Sequence, residues 1–252
     1  MLKLKNISKT FIDGLPALKE IDLELKQGDF CIVIGANGSG KSTLLKIISK
    51  EYKPDRGSMF IDGRKYSQKD RSNFIAQVIQ DVNKGTIPEM TLLENMALSQ
   101  MRVGRTRAAF YDRHKDSVIK KIKDVGIGLE SYVNKPLSSL SGGQRQMVAT
   151  IMAVSSYPKL LLLDEHTSAL DPKMGKTLMD YTANAIENHK LTSIMVTHKL
   201  DDAIKYGNRL IMLHHGKIVF DISGVAKFQL KIDELLALFH KYEDLALISE
   251  RQ

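Results

Sequence analysis

The run Phe30-Cys31-Ile32-Val33-Ile34 passes without a polar residue into Gly35-Ala36-Asn37-Gly38-Ser39-Gly40-Lys41-Ser42-Thr43. An unbroken apolar pentad ending on glycine reads as a strand buried on both faces. The residues after it satisfy G-x-x-x-x-G-K-[ST], a pattern that requires a strand before it and a helix after it. No other segment restricts the chain as tightly, because it calls for an α/β core with a glycine-rich strand-to-helix turn. The glycines let successive backbone N–H groups turn inward, and the helix starting near Lys41 adds partial positive charge, so the loop is a cradle for phosphates. Lys41 is placed to neutralise the β- and γ-phosphates, and Ser42 to hold Mg²⁺ through its hydroxyl. The ligand implied is a nucleoside triphosphate.

Composition narrows the setting. With 252 residues, 43% apolar and 26% charged, there is material for one large core or two small ones. No apolar run approaches the roughly 18 residues of a membrane helix. Met1-Leu2-Lys3-Leu4-Lys5 alternates like a strand and lacks the apolar centre of a secretory leader. Cys31 is the single cysteine, so there is no disulfide framework, and a reducing cytoplasm fits. The net charge of +8 is uneven, since residues 101–135 hold nine Lys/Arg against four acids. A solvated helix surface accounts for that excess, and so does a face toward anionic lipid or nucleic acid.

The first thirty residues alternate apolar and polar around turns at Asp13-Gly14 and Gln27-Gly28, as antiparallel strands do. A helix is expected over 41–49, and strands over 58–61, 73–79, 160–163, 191–196, 209–213 and 217–221. His214-His215-Gly216 splits the last two. From about 90 to 135 the apolar period becomes helical. Leu235, Leu236, Leu238 and Phe239 place one amphipathic helix in the tail.

Leu160-Leu161-Leu162-Leu163-Asp164-Glu165 is an apolar strand that ends in two carboxylates. Asp164 suits a Mg²⁺ shell, and Glu165, one residue on, can reach an attacking water as base or orienting group. Ser141-Gly142-Gly143-Gln144 satisfies the capping pattern S-x-x-[EQ], and its glycines allow a phosphate close to the helix N–H groups.

Phosphate loop, Leu140-Ser141-Gly142-Gly143-Gln144-Arg145-Gln146 and the carboxylate strand, in this order, resemble the nucleotide-binding subunits of ATP-binding-cassette (ABC) transporters from about residue 2 to 220. The resemblance implies a P-loop NTPase core with an antiparallel β-subdomain (1–80 and 141–222), an inserted α-helical subdomain (81–140) and a helical tail (223–252). It implies two ATP molecules sandwiched head to tail between two subunits. Ser141, Gly142 and Gly143 of one copy then bind the γ-phosphate held by the other copy's phosphate loop, and Gln144 belongs to the same nucleotide-binding segment.

Further positions match one at a time. Gln80 stands where the family has a glutamine that touches Mg²⁺ or the attacking water and links core to insert. His198 ends a strand as the family's switch histidine does, and should contact the γ-phosphate. Asp171, in Ser168-Ala169-Leu170-Asp171, matches the loop that communicates across the dimer; before Pro172 it also reads as a helix N-cap. Phe11 falls where an aromatic ring stacks on adenine, although an aromatic there also suits a core. His166 departs from the family, which usually has proline after the glutamate; either a turn residue has been swapped, or the imidazole hydrogen-bonds near the site.

The reading is a cytoplasmic ATPase subunit, peripheral at the cell membrane, with ATP and Mg²⁺ as cofactors. Its expected partners are a second ABC ATPase subunit, in a homodimer or as half of a heterodimer, an integral membrane permease gripped by the helical insert and, indirectly, an extracytoplasmic substrate-binding protein. Ser138-Ser139 lacks the glutamate-glycine element common in exporters, which leans toward import. The segment around Asp164–Pro172 resembles a bacterial subgroup linked to amino acids or related solutes. Arg102, Arg105 and Arg107 are placed to meet lipid headgroups or permease loops, and no nucleic acid is expected. The alternatives are a non-transport membrane complex and a soluble ABC ATPase of translation or repair. The short stretch between Gln80 and Ser141 leaves no room for the long coiled coils of repair members.

Overall fold

Alternation near the N-terminus becomes β1 (Leu2–Thr10) and β2 (Pro16–Leu25), paired antiparallel with Leu2 opposite Leu25, Leu4 opposite Leu23 and Ile7 opposite Ile21. All six side chains are buried, each contributing about 1.5–3 kcal/mol relative to exposure. The computed structural model describes residues 1–12, 14–66, 74–79, 85–101, 111–126 and 128–249. Its chain gathers into two units, Met1–Asp70 with Ile194–Gln252, and Arg71–Ser193.

In the first unit, β3 (Phe30–Ile34) follows, buried along its whole length, and then α1 (Lys41–Ile48). Next come β4 (Arg56–Ile61) and β5 (Arg64–Lys65), which complete an antiparallel sheet in the order β2-β1-β4-β5.

The second unit contains β6 (Ile75–Val78), α2 (Leu92–Met101), α3 (Tyr111–Val125), α4 (Gly142–Ser155), β7 (Leu160–Asp164) and α5 (Pro172–Asn188). β6 and β7 pair in parallel, with Ile75 opposite Leu160 and Val78 opposite Leu163. Apolar residues three and four apart, among them Leu92, Met96, Val118, Ile122, Met147 and Ile151, form one helical core. Asn95, 1% exposed, staples the approach to α2: its amide accepts from Ile87 N at 2.8 Å and donates to the Ile87 and Thr91 carbonyls at 2.9 and 3.0 Å. A buried amide satisfied this fully fixes a segment that has few apolar side chains of its own.

β8 (Thr192–Val196) leads back to the first unit, where its last three residues lie. α6 (Leu200–Lys205), β9 (Arg209–His214) and β10 (Lys217–Ser223) follow. The order in this unit is β10-β9-β3-β8, with β3 and β9 parallel and the β9–β10 hairpin antiparallel. The turn expected at His214-His215-Gly216 makes that hairpin. An α/β core with a separate antiparallel sheet and a helical insert is therefore present, as the resemblance implied.

The tail differs from expectation. It is two helices, α7 (Val225–Gln229) and α8 (Ile232–Ser249), divided at the extended Leu230. Hydrogen bonds on either side of Leu230 separate them. Lys227, fully buried, donates through Nζ to the Ile204 and Tyr206 carbonyls at 2.7 and 2.6 Å, which pins α7 to the end of α6. Glu234 Oε2 accepts from Lys231 N at 2.9 Å, which starts a new helix. Among the described residues no helix is long and apolar enough to cross a membrane.

Candidate functional site

β3 delivers the chain at Gly35, and the loop that follows is shaped by its own backbone. Ser39 N donates to Ala36 O at 3.2 Å, and α1 begins with Leu44 N to Gly40 O at 2.9 Å. Gly40 is the N-cap of α1 at φ +104, and no side chain caps the helix. A helix N-terminus without a side-chain cap favours an anion there. Lys41 is 7% exposed and folds back so that Nζ donates to the carbonyls of Gly35 and Ala36, both at 2.8 Å. Its ammonium is held at the mouth of the loop. Asn37, Gly38 and Ser42 are exposed there, Thr43 is half-buried, and the buried Ser39 hydroxyl has no hydrogen-bond partner among the described residues.

Phe11 lies just beyond β1, 37% exposed, with its ring edge-on to Tyr52 at 5.5 Å. It is not a core residue. Asp55 fixes the backbone before it, accepting from Lys9 Nζ at 2.8 Å and from Thr10 N at 2.7 Å. The Lys9 ammonium and then the Thr10 N–H hold its carboxyl below the usual carboxylate range. Sequence reasoning missed both Tyr52 and Asp55, which touch Phe11 and its neighbours only through the fold. The one hint was Tyr52, an aromatic shortly after the phosphate-loop helix.

His198 is exposed on the turn after β8. Thr197 N donates to Val33 O at 3.2 Å, and Thr197 Oγ1 accepts from Lys199 N at 3.0 Å. These bonds set His198 at the end of β3 from which the phosphate loop springs. Loop, Phe11 and His198 all belong to the first unit.

The second unit carries the other candidates. In β7, Leu160 to Leu163 are fully buried, and Asp164 and Glu165 emerge half-buried at the strand end. Glu165 has φ +47, a left-handed conformation that costs a non-glycine residue of order 1–3 kcal/mol. A tight turn holds it, with Ser168 N donating to Glu165 O at 2.9 Å. A following proline would push Glu165 to extended backbone, so His166, 1% exposed, is compatible with a glutamate turned this way.

Ser141 is the N-cap of α4, and the capping box is complete: Ser141 Oγ accepts from Gln144 N at 3.2 Å while Gln144 Oε1 accepts from Ser141 N at 2.9 Å. Gly142 is exposed, and Gly143 packs so closely on Leu170 that an added Cβ would sit 2.9 Å from Leu170 Cδ2. Asp171 is the N-cap of α5, accepting from Lys173 N and Met174 N at 3.1 and 3.0 Å. The Leu170–Asp171 turn and the start of α4 are therefore packed as one piece. Gln146, 3% exposed and not anticipated from sequence, reaches the Ile79 carbonyl with Nε2 at 3.5 Å. That links α4 to the residue before Gln80. Gln80, Arg102, Arg105 and Arg107 lie outside the described residues.

A family model described as "ABC transporter" matches residues 18–168. The tyrosine transport ATP-binding protein of Clostridioides difficile (strain R20291) is 37% identical over 247 residues, 95% of this chain and 98% of that protein. The phosphonates import ATP-binding protein PhnC 1 of Ruegeria sp. (strain TM1040) is 31% identical, with 94% and 95% covered. Among solved structures, the dimeric post-hydrolysis state of the ATP-binding cassette MJ0796 bound to ADP and Pi is similar at a TM-score of 0.78 and 33% identity, covering 88% of this chain and 98% of that one. The chain belongs to the ABC transporter family, as an ATP-binding subunit that hydrolyses ATP.

Proposed function

We propose that this chain is the ATPase subunit of an importer, working as a dimer of two copies on the cytoplasmic face of a membrane against a separate permease. The solute is an amino acid or a related small molecule handed over by a substrate-binding protein. The observation that carries this reading is the end-to-end likeness to transport and import subunits, tyrosine transport first among those named. The insert, with its stapled 87–91 approach, is the part that grips the permease.

The residue roles are those the family resemblance implies, and the chemistry of each side chain suits its role. The loop N–H groups from Gly35 to Thr43 and the Lys41 ammonium hold the phosphates, and Phe11 stacks on the base. Ser42, Asp164 and Gln80 would hold Mg²⁺, since a hydroxyl, a carboxylate and an amide supply the hard oxygen donors that this ion takes. Bound there, the ion would offset phosphate charge. Glu165 accepts a proton from the attacking water, and His198 hydrogen-bonds the γ-phosphate. Ser141, Gly142, Gly143 and Gln144 meet the nucleotide of the other copy, and Asp171 carries that contact across the dimer.

Replacing Glu165 by Gln tests the catalytic assignment. Phosphate release should fall about 10²- to 10⁴-fold while ATP still binds; turnover within twofold of the parent would remove Glu165 from the role. Purification from detergent-solubilised membranes tests the setting. A permease should accompany the chain, and ribosomes or DNA in its place would overturn the transport reading.

A further inference from the structure

The phosphate loop rests against a turn more than 170 residues later in the chain. In the β9–β10 hairpin, Gly216 N donates to the Ser39 carbonyl at 3.0 Å, and the Gly216 carbonyl accepts from Lys19 N of β2 at 2.8 Å. Gly216 thus bridges the loop and the antiparallel sheet by backbone bonds alone. It has φ +77, and a Cβ there would lie 2.8 Å from Ala17 O and 3.1 Å from Leu18 Cα. The same Ala17 carbonyl would lie 2.5 Å from a Cβ on Gly40, and the Leu213 carbonyl of the hairpin 2.2 Å from one on Gly35. Both ends of the loop are therefore seated on backbone that lies outside its motif.

We propose that Gly216 is a positioning residue of the nucleotide site: the β9–β10 turn is a strut that holds the phosphate loop in its binding shape before ATP arrives. The proposal rests on the nucleotide-binding reading of Gly35–Thr43 and extends it to a residue that touches no phosphate. Its energetic logic is preorganisation. A loop already in its binding-competent form spends none of its affinity on ordering, whereas a loosened loop binds in proportion to the fraction still competent. At saturating nucleotide the ligand restores the shape, so the strut acts on affinity and leaves turnover nearly intact.

Gly63 supplies the control. It sits in the β4–β5 turn of the same unit at φ +75, and a Cβ there meets nothing within 4 Å. Gly63→Ala carries similar backbone strain without the crowding against Ala17 and Leu18, and among the described residues Gly63 makes no bond to the loop. In steady-state assays Gly216→Ala should raise KM for ATP and Kd for a slowly hydrolysed analogue by about tenfold, within the range of ordinary site couplings, with kcat changed less than twofold. Gly63→Ala should leave all three unchanged. Equal affinity in the Gly216→Ala chain and its parent would overturn the strut, as would losses of the same size in both variants.

Should Gly216→Ala fail to fold, amide exchange in the unaltered chain decides. Coupling is reciprocal, so bound nucleotide should slow exchange at Gly216 N–H about as much as it slows exchange in the loop. An unchanged Gly216 rate would overturn the proposal. A parent chain that binds no ATP would instead strike at the reading of the loop itself.

Discussion

The phosphate loop and the start of α4 are both glycine-bearing helix N-termini, and they are built in opposite ways. Gly35 and Gly40 are demanded from within: φ +149 and +104, with backbone carbonyls 2.2 and 2.5 Å from where a Cβ would stand. Gly142 has no such demand, because a Cβ there meets nothing within 4 Å and its backbone is ordinary helix. Capping differs in the same sense. α1 leaves its first-turn N–H groups without a side-chain cap, whereas Ser141 and Gln144 cap α4 reciprocally. The loop is held open by its own chain. The start of α4 is capped in itself, and nothing in its own packing requires glycine at 142. In the proposed dimer, a phosphate held by the second copy would approach Gly142.

Substitution can break this comparison. The largest effect on activity should come from Gly142→Ala: ATPase turnover down about 10²-fold, as when a reacting group is displaced by an ångström. Its stability should be unchanged or up to about 1 kcal/mol higher, since alanine favours helix. Gly40→Ala should behave in the reverse sense, losing about 3 kcal/mol or more in denaturant unfolding from combined φ strain and overpacking. If Gly142→Ala lost as much stability as Gly40→Ala, the contrast would be void. Ser141→Ala should cost about 1 kcal/mol of unfolding free energy through the lost cap.

A pH dependence is expected from the first unit as well. Burial pushes the Lys227 ammonium down to about 8 from its ordinary 10.5. Between those values the unfolded chain binds the proton and the folded chain does not, so this group favours the folded state as pH rises. The stability difference between the parent and Lys227→Met should shift toward the parent from pH 8 to 10.5 in urea titrations. A flat difference would place the Lys227 proton elsewhere.

What was legible in the sequence was local. Phe30–Thr43 fixes strand, loop and helix within fourteen consecutive residues, and the Ser141–Gln144 box closes within four. Asp171 before Pro172 is readable for the same reason. Tyr52, Asp55 and Gly216 were not legible, because each acts through contacts made only after distant strands pair. In the tail, Leu235, Leu236, Leu238 and Phe239 mark only the second helix; the first is pinned by Lys227 at the end of α6, a contact that spacing does not show. Glu165 was recognised as the carboxylate of interest, but its left-handed backbone was not, and His166 gains a structural sense only beside it.

The central claim is that Lys41 and Ser141 of one chain serve different nucleotides. Light scattering on the Glu165→Gln chain, with and without a further Ser141→Arg change, tests it most directly. ATP should double the mass of the first from 28.3 kDa. With Ser141→Arg added, the mass should stay that of a single chain while ATP affinity of that chain is unchanged. An affinity loss as large as that of Lys41→Ala would mean that Ser141 serves its own chain's nucleotide, and the claim would be contradicted.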